Sequence, residues 1–450
     1  MKRVVSILSV ILLVCAFCSP ASAAVQKEWT FMVFLNADNN LDSFGVGDLQ
    51  EMVKGGGSND FMNVICLLDR ENAPAKLYHV TKDEAKVIGE PGEVDMGSYK
   101  ELVKFVLDTA KAYPAKHYCT VVWNHGSGWK DINGEIIKGI SYDDQSGNHI
   151  TTNQLTIAFD EIKKGLGKKI DLFCFDACLM QMVEVAYAMK DGVEYLVASE
   201  ETEPGHGYPY TEIVSGFKKG MTPEVAAKHI VKEYSKSYDG GSAGYSSTTQ
   251  SAIKCSELNG LKDAINGFCK VALAGNYGAQ FKNALNGSQK FYYRTNIDLG
   301  HFVELAQNQI KDESFTTAAD KLQAALKKAV VINALSGYNT KNAKGLAVYF
   351  PASSYSFSSD YKDLAFAKET MWEQMVKDYY KKTTVKKVVK DVVSGDISSL
   401  RNYVSSANQN NREISAELVT KLNFSVFAEG GVDASTQENV KSLVTELKSK

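Results

Sequence analysis

Two short segments carry residue types suited to covalent catalysis. Residues 123–129 read W-N-H-G-S-G-W, with His125 opening a glycine-rich stretch, and residues 175–180 read F-D-A-C-L-M, with Cys178 at the fourth position. The thiolate is the reactive form of cysteine, and a neighbouring imidazole or a helix N-terminus lowers the thiol pKa. Cys178 is expected just before a helix spanning residues 179–189, where the helix dipole favours an anion. His125 can activate the thiol or protonate a leaving amine. Gly126 leaves its backbone N–H unobstructed, and with the Cys178 N–H it can bind a developing oxyanion. Rival chemistries lack their motifs. H-E-x-x-H is absent, and Ser127 lies in H-G-S-G rather than in G-x-S-x-G. Among the other histidines, His79 and His117 read as strand-edge residues and His229 and His301 as helical. His149 and His206 read as loop residues and stay open as alternatives.

These two segments need a scaffold that brings them to one place. Residues 30–37 (TFMVFLNA), 64–68 (VICLL), 118–123 (YCTVVW), 170–175 (IDLFCF), 195–199 (YLVAS) and 346–350 (LAVYF) are nearly continuous apolar runs. Continuous apolarity is the signature of strands buried on both faces. Helical patterns lie between them at 98–113, 153–164, 179–189 and 223–234. The first carries an S-x-x-E capping box at Ser98 and Glu101, with Pro114 after its end. Strand–helix alternation predicts an α/β fold with a mostly parallel sheet covered on both faces. In such sheets ligands gather at the C-terminal ends of strands, where His125 and Cys178 both fall. Later residues read as helices at 298–310, 316–331 and 360–382. Composition changes near residue 383, and weak helical patterns follow at 397–406 and 436–447.

The 450 residues are 44% hydrophobic and 23% charged with a formal net charge of −3, which excludes extensive disorder and gives no electrostatic footprint for nucleic acid. Lys2 and Arg3, an apolar run over residues 4–17 and the small residues Ala21, Ser22 and Ala23 read as a secretory signal cleaved after Ala23. That run is shorter than the roughly 20 residues a membrane span needs, so no transmembrane segment is expected after signal removal. Val14 and Phe17, which precede Cys15 and Cys18, are too large for a lipid-attachment site and argue against a lipoprotein. The six remaining cysteines are sparse and lack C-x-x-C spacing, so no disulfide framework is expected.

The segments at 29–42 (WTFMVFLNADNNLD), 124–129 (NHGSGW), 175–180 (FDACLM) and 345–351 (GLAVYFP) together resemble the clostripain family of cysteine peptidases. The resemblance spans residues 29–382. It implies the caspase–gingipain fold, a three-layer α/β/α sandwich with a mostly parallel central sheet, and a dyad with His125 as catalytic histidine and Cys178 as nucleophile. It also implies cleavage after Arg or Lys, with Asp176 as the specificity determinant. Elementary electrostatics agrees, because a desolvated carboxylate at a pocket base rewards a cationic side chain. The residue-level alternative for Asp176 is a charge at a helix start. Two further properties follow from the resemblance: calcium dependence and self-cleavage between the catalytic residues, for which Lys138 and Lys130 are the candidates. Asp38, Asn40 and Asp42 alternate as calcium ligands do, yet Ser43 and Leu49 at the sixth and twelfth positions exclude an EF-hand. A loop that caps the following helix is the plainer reading. Glu200, Glu201 and Glu203 read as a solvated acidic loop, or as one lining the cleft.

The expectation is therefore an exported peptidase, secreted or held at the cell envelope. Residues 1–23 form the signal, 24–382 the peptidase domain, and 383–450 a small, mainly helical extension. Its partners would be protein or peptide substrates with Arg or Lys before the cut bond, and the chemistry needs no cofactor. The rival expectations are a catalytically silent binding or surface protein on the same fold and a non-peptidase cysteine hydrolase.

Overall fold

The computed structural model describes residues 26–129, 139–407, 412–428 and 432–450. The signal with its Ala23 cleavage site, and both Lys130 and Lys138, lie outside the described residues.

Five parallel strands form the centre of a nine-stranded sheet. They are β1 (Lys27–Ala37), β2 (Met62–Arg70), β5 (Ala115–Trp123), β8 (Ile170–Asp176) and β9 (Val193–Ala198), in the order β9-β8-β5-β1-β2. Antiparallel strands extend both edges: β3 (Ala73–Val80) and β4 (Ala85–Gly92) beyond β2, and Thr248–Lys254 then Val330–Ser336 beyond β9. Alternate residues of each central strand feed different cores. Phe31, Val33, Leu35, Val121, Trp123 and Cys174 face α1 (Asp42–Lys54), α5 (Tyr210–Gly216) and α6 (Pro223–Ser237). Met32, Phe34, Val122, Phe173 and Phe175 face α2 (Tyr99–Ala112), α3 (Thr152–Leu166) and α4 (Val183–Met189). Helices on both faces make the three-layer α/β/α sandwich, and the period-2 geometry of strands explains the split.

Several local expectations fail for identifiable reasons. The helix expected from residue 179 begins only at Val183, because Leu179 takes a left-handed φ of 64°. The long helix expected at 360–382 breaks into the 3₁₀ turn Ser359–Asp363 and the helices Ala365–Glu369 and Trp372–Tyr380, with Leu364 and Thr370 extended between them. Val330 leaves the helix Glu313–Ala329 to start an edge strand. Ala347–Tyr349 lies outside the main sheet, paired with Asn296–Asp298 and bridged at Ala347 to Met182. Ser98 caps α2 without a side-chain hydrogen bond, whereas Thr151 and Gln154 form a full capping box on α3.

The backbone is helical through Lys381–Val385 into Lys386–Val393. Val388, Val392, Leu400 and Leu418 join the same apolar cluster as α2 and α3, so packing is continuous across residues 382 and 383. No helix among the described residues is long and apolar enough to cross a membrane.

Candidate active site

β5 and β8 are neighbours in parallel register, with Trp123 opposite Asp176. The segments that follow them therefore leave the sheet side by side. The Asn124 N–H donates to the Asp176 carbonyl at 3.2 Å, and the two loops then press together. A Cβ on Gly126 would lie 2.3 Å from the Cys178 carbonyl oxygen, and one on Gly128 would meet the Met182 sulfur at 2.6 Å. Only glycine permits that approach. Trp129 anchors the far end of the His125 loop by edge contacts with Tyr349 and Tyr361, at 4.8 and 5.1 Å between centroids. The segments at 124–129 and 175–180 thus meet at the Cys178 turn, and Tyr349 of the 345–351 segment packs on the far end of the first.

The sulfur of Cys178 accepts from the Glu203 N–H at 3.2 Å and lies 3.7 Å from the Glu203 carbonyl oxygen. Burial pushes the thiol pKa up, the Glu203 N–H partly offsets this, and the Glu201 charge adds to the rise. The helix dipole does not reach the sulfur directly, because α4 starts five residues later. His125 is half-buried, and burial lowers its pKa while the Asp144 charge opposes the shift. Its Nε2 bonds the Asn40 side-chain oxygen at 2.7 Å. If Nε2 carries the hydrogen, Nδ1 is left as the free base. Both shifts favour the neutral forms, thiol and imidazole, over an ion pair. All six described cysteines are free, and Cys178 alone among them is not fully buried.

Asp176 ends β8 and is 4% exposed. Its carboxylate accepts from the Tyr208 N–H at 3.1 and 3.2 Å and from the Tyr210 hydroxyl at 2.8 Å, and it meets the Glu203 carboxyl. Burial pushes the Asp176 pKa up to about 7. Glu203 rises further, through burial and the Asp176 charge, and its Oε2 has no partner. Asp48 of α1, which accepts from the Trp123 indole N–H at 2.7 Å, is pushed up to about 9 by burial and by Asp176. Asp176 is thus not a helix cap; it belongs to a buried group of acids behind the Cys178 turn. The acidic run at 200–203 is not a solvated loop either. Glu200 is buried, accepts from the Gly345 N–H at 3.1 Å and sits beside Asp298. Glu203 fits the cleft-lining alternative for the acidic run, whereas the places of Asn40 beside His125 and of Asp48 near Asp176 carry no signal in the sequence. Neither His149, stacked on Tyr142, nor His206, edge-on to Phe44, has a described contact with Cys178.

The alternating Asp38, Asn40 and Asp42 do not converge as a calcium loop. Asn40 holds His125, Asp42 pairs with Arg70 at 2.7 Å in the first turn of α1, and only Asp38 joins other carboxylates. Oxygens of Asp38, Glu93 and Asp143 lie within 4.8 Å of one another. This all-carboxylate donor set suits a hard divalent cation, and the buried Asp38 Oδ1 has no hydrogen-bond partner.

The clostripain family model matches residues 33–379. Clostripain from Hathewaya histolytica is 28% identical over 227 residues, which is 43% of this chain and 43% of that protein; the match thus spans less than half the relative's length. Among solved structures, an inactive zymogen C11 protease from Parabacteroides distasonis superposes with a TM-score of 0.61 at 21% identity, covering 77% of this chain and 99% of that one. A secreted C11 cysteine protease from Bacteroides thetaiotaomicron in complex with an irreversible peptide inhibitor gives 0.59 at 24% identity, over the same shares. The sandwich, the paired loops at the ends of β5 and β8 and the family match over most of the length lead to one conclusion: this chain belongs to the clostripain family.

Proposed function

We propose that the protein is a cysteine endopeptidase that cuts after Arg or Lys. The observation that carries the reading is the seating of the His125 loop on the Cys178 turn at the C-terminal ends of adjacent parallel strands. In the reaction His125 takes the Cys178 proton as the sulfur attacks the scissile carbonyl. The Gly126 and Cys178 N–H groups receive the oxyanion, and the imidazolium gives its proton to the leaving amine. Water then hydrolyses the thioester with His125 as base. Asn40 acts as a positioning residue that holds the imidazole.

Asp176 and Glu203 are the proposed base of the pocket for the residue before the cut bond. Two buried carboxyls side by side cannot both ionise without a partner. A guanidinium or ammonium between them supplies the missing charge and the missing donor for Glu203 Oε2.

Export rests on the signal-like residues 1–23, and self-cleavage on Lys138 or Lys130; residues 24–382 remain the proposed peptidase unit. No step of the chemistry runs through a cofactor. Calcium, which the resemblance implies, would find carboxylate donors at Asp38, Glu93 and Asp143, where it supplies charge compensation.

The test is Cys178→Ala. It should abolish cleavage of Arg and Lys reporter peptides with an unchanged melting temperature. Full activity in that variant ends the proposal.

A further inference from the structure

The exits of three neighbouring strands set the direction of a bound peptide. His125 follows β5, Cys178 follows β8 and residues 199–203 follow β9, in the sheet order β9-β8-β5. His125 gives its proton to the leaving amine, so the peptide downstream of the cut bond lies on the β5 side of the sulfur. The peptide upstream of the cut then runs towards the exit of β9. There a cleft of about 760 Å³ opens, with Glu201, Thr202, Lys290, Tyr292, Arg294 and Asn339 in its wall. It adjoins the nucleophile: the Glu201 carbonyl accepts from the Leu179 N–H at 3.1 Å, and Glu203, one residue beyond Thr202, donates its N–H to the Cys178 sulfur.

The cleft carries an excess of positive charge, Lys290 and Arg294 against the single carboxylate of Glu201. That carboxylate is engaged, since its Oε1 accepts from the Tyr292 N–H at 3.0 Å and the Thr202 N–H at 2.8 Å. Among the described residues no ion pair involves Lys290 or Arg294. Lys290 donates to the Leu285 and Asn286 carbonyls at 2.6 and 2.9 Å, at the end of the helix Gly278–Gly287. Burial lowers its pKa, and the Arg294 charge adds to the fall. Arg294 is exposed and makes no hydrogen bond to another described residue. A third cation stands at the rim, where Lys341 lies 3.7 Å over the Tyr338 ring. Tyr245, Tyr292 and Tyr338 are the most exposed large apolar side chains among the described residues; Tyr292 lines the cleft and each of the others precedes a lining residue. Rings left in water around an uncompensated guanidinium mark a contact surface, and a guanidinium fork suits a carboxylate.

We propose that this cleft is a specificity subsite for an acidic substrate side chain, an Asp or Glu two to four residues before the cut bond, with Arg294 as its main partner and Lys290 as a second positive charge. An extended peptide advances about 3.3 Å per residue, so with the basic residue seated at Asp176 and Glu203 these positions lie roughly 3–10 Å further along the chain. The preferred substrate then carries one cation and one anion, matched to the acids beneath the sulfur and the cations beside it. Asparagine has the shape of aspartate without the charge, so a comparison of the two isolates the effect. The assignment rests on the peptidase reading above.

The experiment uses the full chain, both active and as Cys178→Ala, with dye-labelled hexapeptides X-X-X-Arg-Ala-Ala in which alanine fills the X positions except for one Asp or one Asn. At one of the three positions Asp should exceed Asn at least about threefold, in kcat/KM for the active chain and in affinity for Cys178→Ala, the scale expected of a solvent-accessible charge pair. Arg294→Gln should abolish that preference and Arg294→Glu should invert it. Both variants should melt with the parent, because the side chain is exposed. A smaller ratio at all three positions, or a preference that survives Arg294→Gln, overturns the proposal. Cleavage without the preference leaves the peptidase reading standing, whereas preferential binding without cleavage overturns that reading and keeps the subsite.

Discussion

Asp176→Asn separates substrate recognition from folding, because its effects on the two have opposite signs. Asparagine keeps the shape. Its Oδ1 still accepts the Tyr208 N–H, and its amide faces the Tyr210 hydroxyl and Glu203, both able to accept. What disappears is a buried charge. A pKa of about 7 against 3.8 sets a ceiling of roughly 4 kcal/mol on the ionisation penalty at pH 8, at about 1.4 kcal/mol per unit. Glu203 shares the penalty, so on the order of 1–3 kcal/mol belongs to this substitution. The folded pKa is raised. Below the unfolded value both states hold the proton and stability is complete; as pH climbs through 7 that stability is lost. The variant should therefore melt higher than the parent at pH 8 and at the same temperature at pH 4. Cleavage behaves oppositely. Losing the buried partner of a cation costs about 2–5 kcal/mol, or roughly 30- to 4,000-fold in kcat/KM for Arg and Lys peptides. Melting curves and reporter-peptide kinetics on one preparation measure both. A higher melting temperature with kcat/KM within threefold of the parent refutes the recognition role. Collapse of both makes the carboxylate structural.

Three further outcomes follow from the same geometry. The kcat/KM for an Arg peptide should rise as pH passes through about 7, because Asp176 and Glu203 must shed their shared proton to hold the guanidinium; a flat profile from pH 5 to 8 contradicts this. Asn40→Ala should lower kcat about tenfold while KM stays within twofold, since it frees the imidazole without touching the pocket; an equal rise in KM instead points to a substrate contact. Gly126→Ala should cost at least about a hundredfold in kcat/KM and lower the melting temperature, because its Cβ meets the Cys178 carbonyl at 2.3 Å; unchanged kinetics would mean the loop seating is irrelevant.

The parallel centre of the sheet was legible because strands buried on both faces must be apolar throughout. The antiparallel edges were not. Thr248–Lys254 reads TTQSAIK, and its polar residues are buried under loops rather than exposed as alternation requires. The break at Leu364 and Thr370 leaves no mark in a helical apolar pattern. His125 and Cys178 could be found because each ends an apolar run, one beside glycine. For Glu203 a solvated loop was the first reading, since three acids within four residues normally face water, and the cleft-lining loop was the alternative. Asp48 looks like any polar residue on a surface helix. Asn40 was weighed as a calcium ligand or as part of a loop that caps the following helix, not as a partner of His125. Asp38, Glu93 and Asp143 come from separate stretches of chain, and a linear spacing rule has no access to that convergence.

The central claim is that Cys178, served by His125, is a nucleophile in a pocket that accepts a basic residue. A peptide ending in Arg and carrying an irreversible thiol-reactive group tests it directly, read by mass spectrometry of the labelled chain. The account predicts one adduct per chain, on Cys178, lost in His125→Ala and competed by an Arg peptide but not by its Leu counterpart. Labelling spread over the other cysteines, or undiminished in His125→Ala, would contradict it.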